Sequence, residues 1–203
     1  MRFSEKLKPE DLQFLVVLGD GKYERRILRY ILPKFDGRNV TLSIPSLPRG
    51  VMTAKKTGLA VLESLITLLN LRYSFNRVIF LVDREHISGM DEIDEWLKEH
   101  GCVIDSRVML NSNKGAAIYH ITHGDHEFEL YVALAGRHKC IEEELFELAG
   151  RVYGKSFDKR RIKSPRFIKR LIEKAGAEDI KKCLRNLSII LQKIEEEYRD
   201  QRI

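Results

Sequence analysis

Two acidic turns follow predicted strands and carry residue types that bind metal ions and phosphates. Asp20 comes directly after the apolar run 13–19, and Asp83 and Glu85 come directly after the run 78–82. In open parallel sheets the carboxyl ends of the strands meet where ligands bind, so we expect these carboxylates to lie close together. At an extended strand end Asp83 and Glu85 point the same way and can converge on one cation. Carboxylate oxygens suit Mg²⁺ or Mn²⁺, so the pattern predicts a metal site at Asp20, Asp83 and Glu85.

Neighbouring residues extend this predicted site. Gly21 would let the backbone approach a ligand closely, and Lys22 is expected to contact a phosphate. Arg84 and His86 are expected to support the metal ligands, and His86 is also a candidate for proton transfer. The alternative is that Asp and Gly stand at these strand ends only as turn and helix-capping residues.

A basic segment, residues 154–170, is the second feature that indicates a partner. A cluster of this kind neutralises several phosphates, and together with the net charge of +6 it predicts nucleic acid as the partner. Phe157 and Phe167 lie in the segment and either stack on bases or face the core, and we favour the core. The segment has one acid, Asp158, and its basic residues are Lys155, Lys159, Arg160, Arg161, Lys163, Arg166, Lys169 and Arg170.

Hydrophobic patterning places the acidic turns within an alternating order of strands and helices. Such an order is typical of an α/β fold with right-handed crossovers. We therefore expect three layers around a mostly parallel sheet, with a β-hairpin extension and C-terminal helices. The predicted strands are 13–19, 39–44, 78–82, 103–110 and the hairpin arms 116–122 and 127–134, and the predicted helices are 23–35, 53–71, 90–100 and 139–152.

The composition shifts near Gly154, beyond which the chain is helical and highly charged. We therefore predict an α/β domain over residues 1–153 and a basic, helical extension over residues 154–203. The last helix carries apolar residues four and three positions apart, which form a heptad-like seam. The seam either packs within the chain, which is the default, or forms a homodimer across a two-fold axis. Its residues are Ile180, Leu184, Leu187, Leu191 and Ile194.

The composition excludes several classes of protein. With 203 residues, 43% apolar and 33% charged, the chain has a globular and not a disordered composition. No apolar run approaches the ~18–20 residues of a membrane span, and no apolar signal region follows Met1. Three widely spaced cysteines fit neither a disulfide framework nor a zinc pattern, which predicts a reducing, cytoplasmic location. Abundant Lys, Arg and Glu are typical of thermophile proteins.

The order of the elements and two short motifs resemble a Toprim domain, the catalytic fold of topoisomerases, bacterial primases and the overcoming-lysogenization-defect (OLD) nucleases. The run Leu18-Gly19-Asp20-Gly21-Lys22-Tyr23-Glu24 resembles the family's Glu-Gly-Lys-x-Asp form, with Asp20 at the glutamate position. The run Phe80-Leu81-Val82-Asp83-Arg84-Glu85 resembles the Asp-x-Asp form, with Glu85 at the second aspartate. Two further runs, Lys55-Lys56-Thr57-Gly58 and Ile141-Glu142-Glu143-Glu144-Leu145, resemble small stand-alone Toprim proteins.

The resemblance covers roughly residues 14–154 and implies a specific chemistry. In the family the glutamate acts as general acid or base and the aspartates hold Mg²⁺, which assigns these roles to Asp20, Asp83 and Glu85. Asp20 is one methylene shorter than the family's residue and Glu85 is one longer. Two functions are therefore expected: an Mg²⁺-dependent nuclease of the OLD type, or a catalytically inactive module that binds nucleic acid or protein on the same fold.

Overall fold

The computed structural model describes residues 1–3, 12–19, 21–37, 39–44, 57–71 and 75–200, and seven strands within these residues form one sheet. Most of these strands are apolar runs bounded by turn residues, as expected for strands that are covered on both faces. Their bounds are β1 Arg2–Phe3, β2 Leu12–Leu18, β3 Val40–Ser43, β4 Arg77–Asp83, β5 Val103–Met109, β6 Ala116–His123 and β7 His126–Ala135.

The strand order across the sheet is β1-β3-β2-β4-β7-β6-β5. The strands from β1 to β7 in this order pair in parallel, whereas β6 is antiparallel to both of its neighbours. The predicted hairpin is β6 and β7, and β7 pairs with β4 along seven positions, from Arg77↔Glu129 to Asp83↔Ala135. The hairpin is therefore an integral part of the sheet, beside its central strand.

Eight α-helices lie within the described residues, together with two short 3₁₀ helices at Leu32–Lys34 and Gly58–Leu62. The predicted helix over 53–71 begins as the second 3₁₀ helix, and its first residues, 53–56, lie outside the described part of the chain. The α-helices are α1 Lys22–Ile31, α2 Glu63–Asn70, α3 Met90–Glu99, α4 Ile141–Tyr153, α5 Lys159–Ile162, α6 Pro165–Lys174, α7 Ala177–Cys183 and α8 Arg185–Asp200.

Helices cover both faces of the sheet, because alternate residues of each central strand point to opposite sides. On β4, Ile79 and Leu81 pack into one core with α1 and the helices from α4 to α8. Val78, Phe80 and Val82 pack into a second core with α2 and α3. The predicted α/β architecture with a mostly parallel sheet is confirmed.

The heptad-like seam lies inside the first core. Its five residues are Ile180, Leu184, Leu187, Leu191 and Ile194, and each is at most 1% exposed. Because α7 packs on α4 and α8 packs on β6 and β7, the apolar stripe is buried against this chain's own sheet and helices. The prediction of a homodimer through these five residues is therefore wrong, and the default prediction, packing within the chain, is confirmed.

The predicted domain boundary falls at a helix end. Gly154 ends α4 in the left-handed conformation, with φ of 67°, and its N–H donates to the carbonyl oxygen of Gly150. Beyond this turn, Ile162, Ile168 and Leu171 enter the same core as α1 and α4.

Within the described residues, no helix is both long enough and apolar enough to cross a membrane.

The position of the seam predicts the effect of truncating one of its residues. Leu191→Ala should lower the free energy of unfolding by about 3 kcal/mol, because it removes a fully buried side chain and leaves a cavity. Leu71→Ala is the matched control, since Leu71 is 49% exposed and its loss should cost less than about 0.5 kcal/mol. Urea unfolding measures both values, and equal losses would contradict the burial of the seam.

Candidate functional site

Asp83 is the last residue of β4 and is buried at the carboxyl end of the sheet, with 3% of its surface exposed. Its Oδ1 accepts a hydrogen bond of 2.9 Å from the N–H of Ile141, the first residue of α4. A helix N-terminus presents unpaired N–H groups and the positive end of the helix dipole, so it stabilises a carboxylate. The buried charge of Asp83 is therefore tied to the start of α4.

A tight turn after β7 places α4 in this position. Gly136 has φ of 81°, and a Cβ at this residue would lie 2.5 Å from the backbone nitrogen of Cys140. Only glycine fits a turn that is both left-handed and this close to another backbone. The turn is fastened by two further hydrogen bonds: Arg84 Nε donates to the Gly136 carbonyl at 3.1 Å, and the Glu85 N–H donates to the Lys139 carbonyl at 2.8 Å.

Three glutamates join Asp83 in the interior. Glu24 in the first turn of α1, and Glu142 and Glu144 in the first turn of α4, are each at most 6% exposed. Glu24, Asp83, Glu142 and Glu144 are called the carboxylate cluster below. Glu24 was missed as a site residue from sequence, although it lies in the first acidic motif, four positions after Asp20. Its position along the helix places it on the inward face, and the sequence alone could have predicted this.

The surroundings of Asp83 raise its pKa from 3.8 to about 7. Burial is the largest cause, because it penalises the charged form, and the negative charge of Glu24 is the second. The hydrogen bond from Ile141 acts in the opposite direction, and Glu142 and Glu85 add further repulsion. Asp83 is therefore harder to ionise than an ordinary aspartate, and a nearby cation would favour its charged form.

Lys163 of the basic segment supplies a positive charge to this cluster. Its Nζ forms an ion pair with Oε1 of Glu142 and lies 4.7 Å from the ring centroid of Tyr23 on α1. Burial alone would raise the pKa of Glu142, but hydrogen bonds from Cys140 and Lys163 outweigh it and hold that pKa below its usual value. Lys163 thus neutralises Glu142, one member of the cluster.

Glu144 is the second carboxyl group of the cluster that favours its protonated form. Burial raises its pKa to about 8, the hydrogen bond from the Gly136 N–H opposes the rise, and the charge of Asp83 increases it. The charge of Arg84 also opposes the rise. Arg84 therefore stabilises both the turn at Gly136 and the charged form of Glu144.

Of the other predicted site residues, those that the structure describes lie at different depths. Asp20 and the side chain of Lys22 lie outside the described part of the chain. Glu85 is exposed, because β4 ends at Asp83 and the next two residues form a turn in which strand alternation stops. His86 is half-buried, its N–H donates to the Asp83 carbonyl at 3.0 Å, and its side chain lies beside Gly58.

The donor chemistry of this edge fits Mg²⁺ or Mn²⁺, since the candidate ligands are carboxylate oxygens. Among the described residues, however, no three His, Cys, Asp or Glu side chains are grouped so that they could hold a metal ion. The ligand set predicted from sequence includes Asp20, which is outside those residues. The metal site therefore stays a prediction, with Asp83 as its buried member.

Apart from Lys163, the basic segment is largely exposed to solvent. Within the described part of the chain, no ion pair engages Lys155, Lys159, Arg160, Arg161, Arg166 or Arg170. Phe157 and Phe167 are partly buried and pack against the first core, so the core interpretation of these two rings is confirmed. The charges of the segment therefore face solvent while its aromatic rings anchor it.

Comparison of the chain with protein-family models, with curated proteins and with solved structures gave no match. The Toprim resemblance accordingly stays a prediction that rests on the two motifs and the order of the elements.

Replacing Asp83 by Asn should change how stability depends on pH. The native carboxyl group holds its proton up to about pH 7, whereas the unfolded one ionises near 3.8, so its contribution to stability falls between pH 4 and 7. Asp83→Asn removes this loss and should stabilise the protein above pH 7 by up to about 4 kcal/mol, at about 1.4 kcal/mol per pKa unit. Chemical unfolding of both proteins from pH 4.5 to 8.5 measures the difference.

The control for this experiment is Glu95→Gln, because Glu95 is exposed on α3 in the opposite layer. Its effect on the free energy of unfolding should be less than about 0.5 kcal/mol. A pH-independent difference between Asp83→Asn and the native protein would contradict the raised pKa of Asp83.

Removing the charge of Lys163 should destabilise the protein more than removing a solvated lysine. Lys163→Met leaves Glu142 buried beside Asp83 without its cation, and should lower the free energy of unfolding by ~2 kcal/mol. This is less than the loss for a fully buried ion pair, because Lys163 is partly exposed. Lys159→Met, at an exposed lysine without an ion pair, should change the free energy of unfolding by less than about 0.5 kcal/mol. Equal effects of the two variants in urea unfolding at pH 8 would refute the pairing.

Proposed function

We propose that the protein is a divalent-metal-dependent phosphoryl-transfer protein that acts on nucleic acid, and specifically a nuclease of the Toprim type. The observation that carries the proposal is the buried Asp83 at the carboxyl end of the central parallel strand, whose pKa is raised to about 7 beside Glu24. A carboxyl group whose pKa is raised by burial and by repulsion from a neighbouring carboxylate is typical of functional sites. A divalent cation is the partner that would relieve this repulsion.

Asp83, with Asp20 and Glu85, would hold the metal, which when bound would polarise a phosphodiester and stabilise the charge of the transition state. Glu24 adds negative charge beside Asp83 and so strengthens the attraction for a cation. Asp20 has the role of general acid or base, as the resemblance implies.

The basic segment gives the second line of support. Lys163 joins it to the carboxylate cluster, so its solvated cations lie on the side of the sheet where the site is expected. Lys155, Lys159, Arg160, Arg161 and Arg166 would hold the phosphates of a nucleic acid, together with Lys22.

A second candidate is a binding module without catalytic activity on the same fold. It is favoured by the partners that two of the carboxylates already have, since Ile141 donates to Asp83 and Lys163 pairs with Glu142. The absence of a three-ligand group among the described residues points the same way. This candidate predicts salt-sensitive nucleic-acid binding that EDTA does not change.

Cleavage assays distinguish the two candidates. The native protein should cleave labelled single- or double-stranded DNA or RNA in Mg²⁺ or Mn²⁺, and Asp83→Asn should lose more than about 100-fold of this activity, since even changes around a metal ligand cost roughly 10–100-fold. Glu95→Gln should keep full activity. Cleavage that persists in Asp83→Asn, or no cleavage by the native protein with either metal, would reject the nuclease.

A further inference from the structure

The first helix of the fold brings a second set of cations next to the basic segment. Helix α1 packs directly on α6, with Ile27 and Leu28 of α1 and Leu171 and Ile172 of α6 buried in one core. The polar sides of both helices therefore face solvent together. Among the residues whose side chains the structure describes, the basic residues of α1 are Arg25, Arg26 and Arg29, and those of α5 and α6 are Lys159, Arg160, Arg161, Arg166, Lys169, Arg170 and Lys174.

The ring of Tyr23 marks where the two sets of cations meet. Arg26 of α1 lies 5.7 Å from the ring centroid, and Lys163 of the basic segment lies 4.7 Å from it. One aromatic side chain thus has cations from two segments that are about 140 positions apart in the sequence. Such a contact holds Arg26 in place without neutralising its charge, whereas the charge of Lys163 is paired with Glu142.

The sequences of helices α1, α5 and α6 contain two acidic residues. Helix α1 has one acid, Glu24, which is buried in the carboxylate cluster, and α6 has one, Glu173, which lies 3.7 Å from Lys169. Asp158 caps α5 by accepting a hydrogen bond from the Arg161 N–H. On the opposite face of the sheet the sign is reversed, because α3 carries five acidic residues, Asp91, Glu92, Asp94, Glu95 and Glu99.

The aromatic side chains of this surface do not form a platform for unpaired bases. Tyr153, Phe157 and Phe167 are partly buried and contact one another, with ring centroids 4.9–5.9 Å apart. Arg161 lies 5.2 Å from the Phe157 centroid and Lys174 lies 4.6 Å from that of Tyr153. Single-strand binding depends on open aromatic faces on which bases stack, whereas a duplex is held through its phosphates.

We infer that α1 and the basic segment form one surface that binds the phosphate backbone of double-stranded nucleic acid. This inference rests on the proposed function for its partner but not on the metal site. A helix of ten residues is about 15 Å long, and a duplex carries one charge per ~1.7 Å of its axis. Each strand carries one phosphate per ~3.4 Å, so α6 spans about four phosphates of one strand, with α1 alongside to contact the same strand or its complement.

Fluorescence anisotropy in EDTA tests the surface separately from any cleavage. The probes are a 24-base-pair DNA duplex, an RNA duplex of the same sequence and each single strand. At least one duplex should bind tenfold or more tightly than the single strands, with an affinity that falls steeply with salt. Arg26→Gln and Arg170→Gln should each weaken duplex binding and lower the slope of log affinity against log salt by about 1.

Lys98→Gln is the matched control, because Lys98 is an exposed cation on α3 in the opposite layer. Its affinity and salt slope should equal those of the native protein. Single strands that bind as tightly as both duplexes, or an unchanged slope in Arg26→Gln, would overturn the inference while the proposed function stands. Failure to bind any of the probes would overturn both, whereas duplex binding without cleavage in Mg²⁺ or Mn²⁺ would reject only the nuclease.

Discussion

The hydrogen bond from the Ile141 N–H to Asp83 joins the central strand of the sheet to the helix that crosses its carboxyl end. A carboxylate as deeply buried as Asp83 requires such a donor, because an unpaired charge in the interior costs several kcal/mol. Gly136 permits the contact, since its left-handed turn leaves no room for a side chain. Once α4 begins there, Glu142 and Glu144 in its first turn must enter the same interior, and Lys163 is then needed as the counter-charge of Glu142. The acidic edge, the turn and the position of the basic segment thus depend on one another.

This arrangement reduces the stability of the fold that contains it. Asp83 and Glu144 both have raised pKa values, chiefly because they are buried, so ionising them costs more free energy in the folded protein than in the unfolded chain. A core built only for stability would have apolar side chains in place of these carboxylates. Apolar side chains of similar volume often make a protein as stable as buried charges do, or more stable. Local destabilisation is tolerated mainly where it serves function. The carboxylate cluster is for this reason a better candidate for a functional site than the exposed ion pairs of α3 or α4.

The local pattern of the sequence was sufficient to predict elements such as β4 and α3, but not which elements lie beside them. The strand predicted over 78–82 is β4, Arg77–Asp83, and the helix predicted over 90–100 is α3, Met90–Glu99, because apolar periodicity is a local property. The same pattern could not reveal that β7 pairs in parallel with β4 and carries the chain to Gly136, since strand order depends on contacts distant in the sequence. Asp83 was therefore found from its motif, whereas Glu142 and the role of Lys163 required the position of α4. The seam ending at Ile194 was ambiguous for the same reason, because an apolar stripe does not specify what covers it.

The distribution of charge follows from the packing of the cores. A net charge of +6 averages over a basic pair of helices, α1 and α6, and an acidic helix, α3, on opposite faces of the sheet. The apolar sides of α1 and α6 enter one core, so the arginines on their other sides must share one surface although they are far apart in the sequence. Such a surface depends on the angle and distance between two helices as much as on the charges themselves. Ile168→Ala alters how α6 packs without removing any cation, so it should weaken the binding of nucleic acid through geometry alone. A sequence that bound only because it is basic would not show this effect.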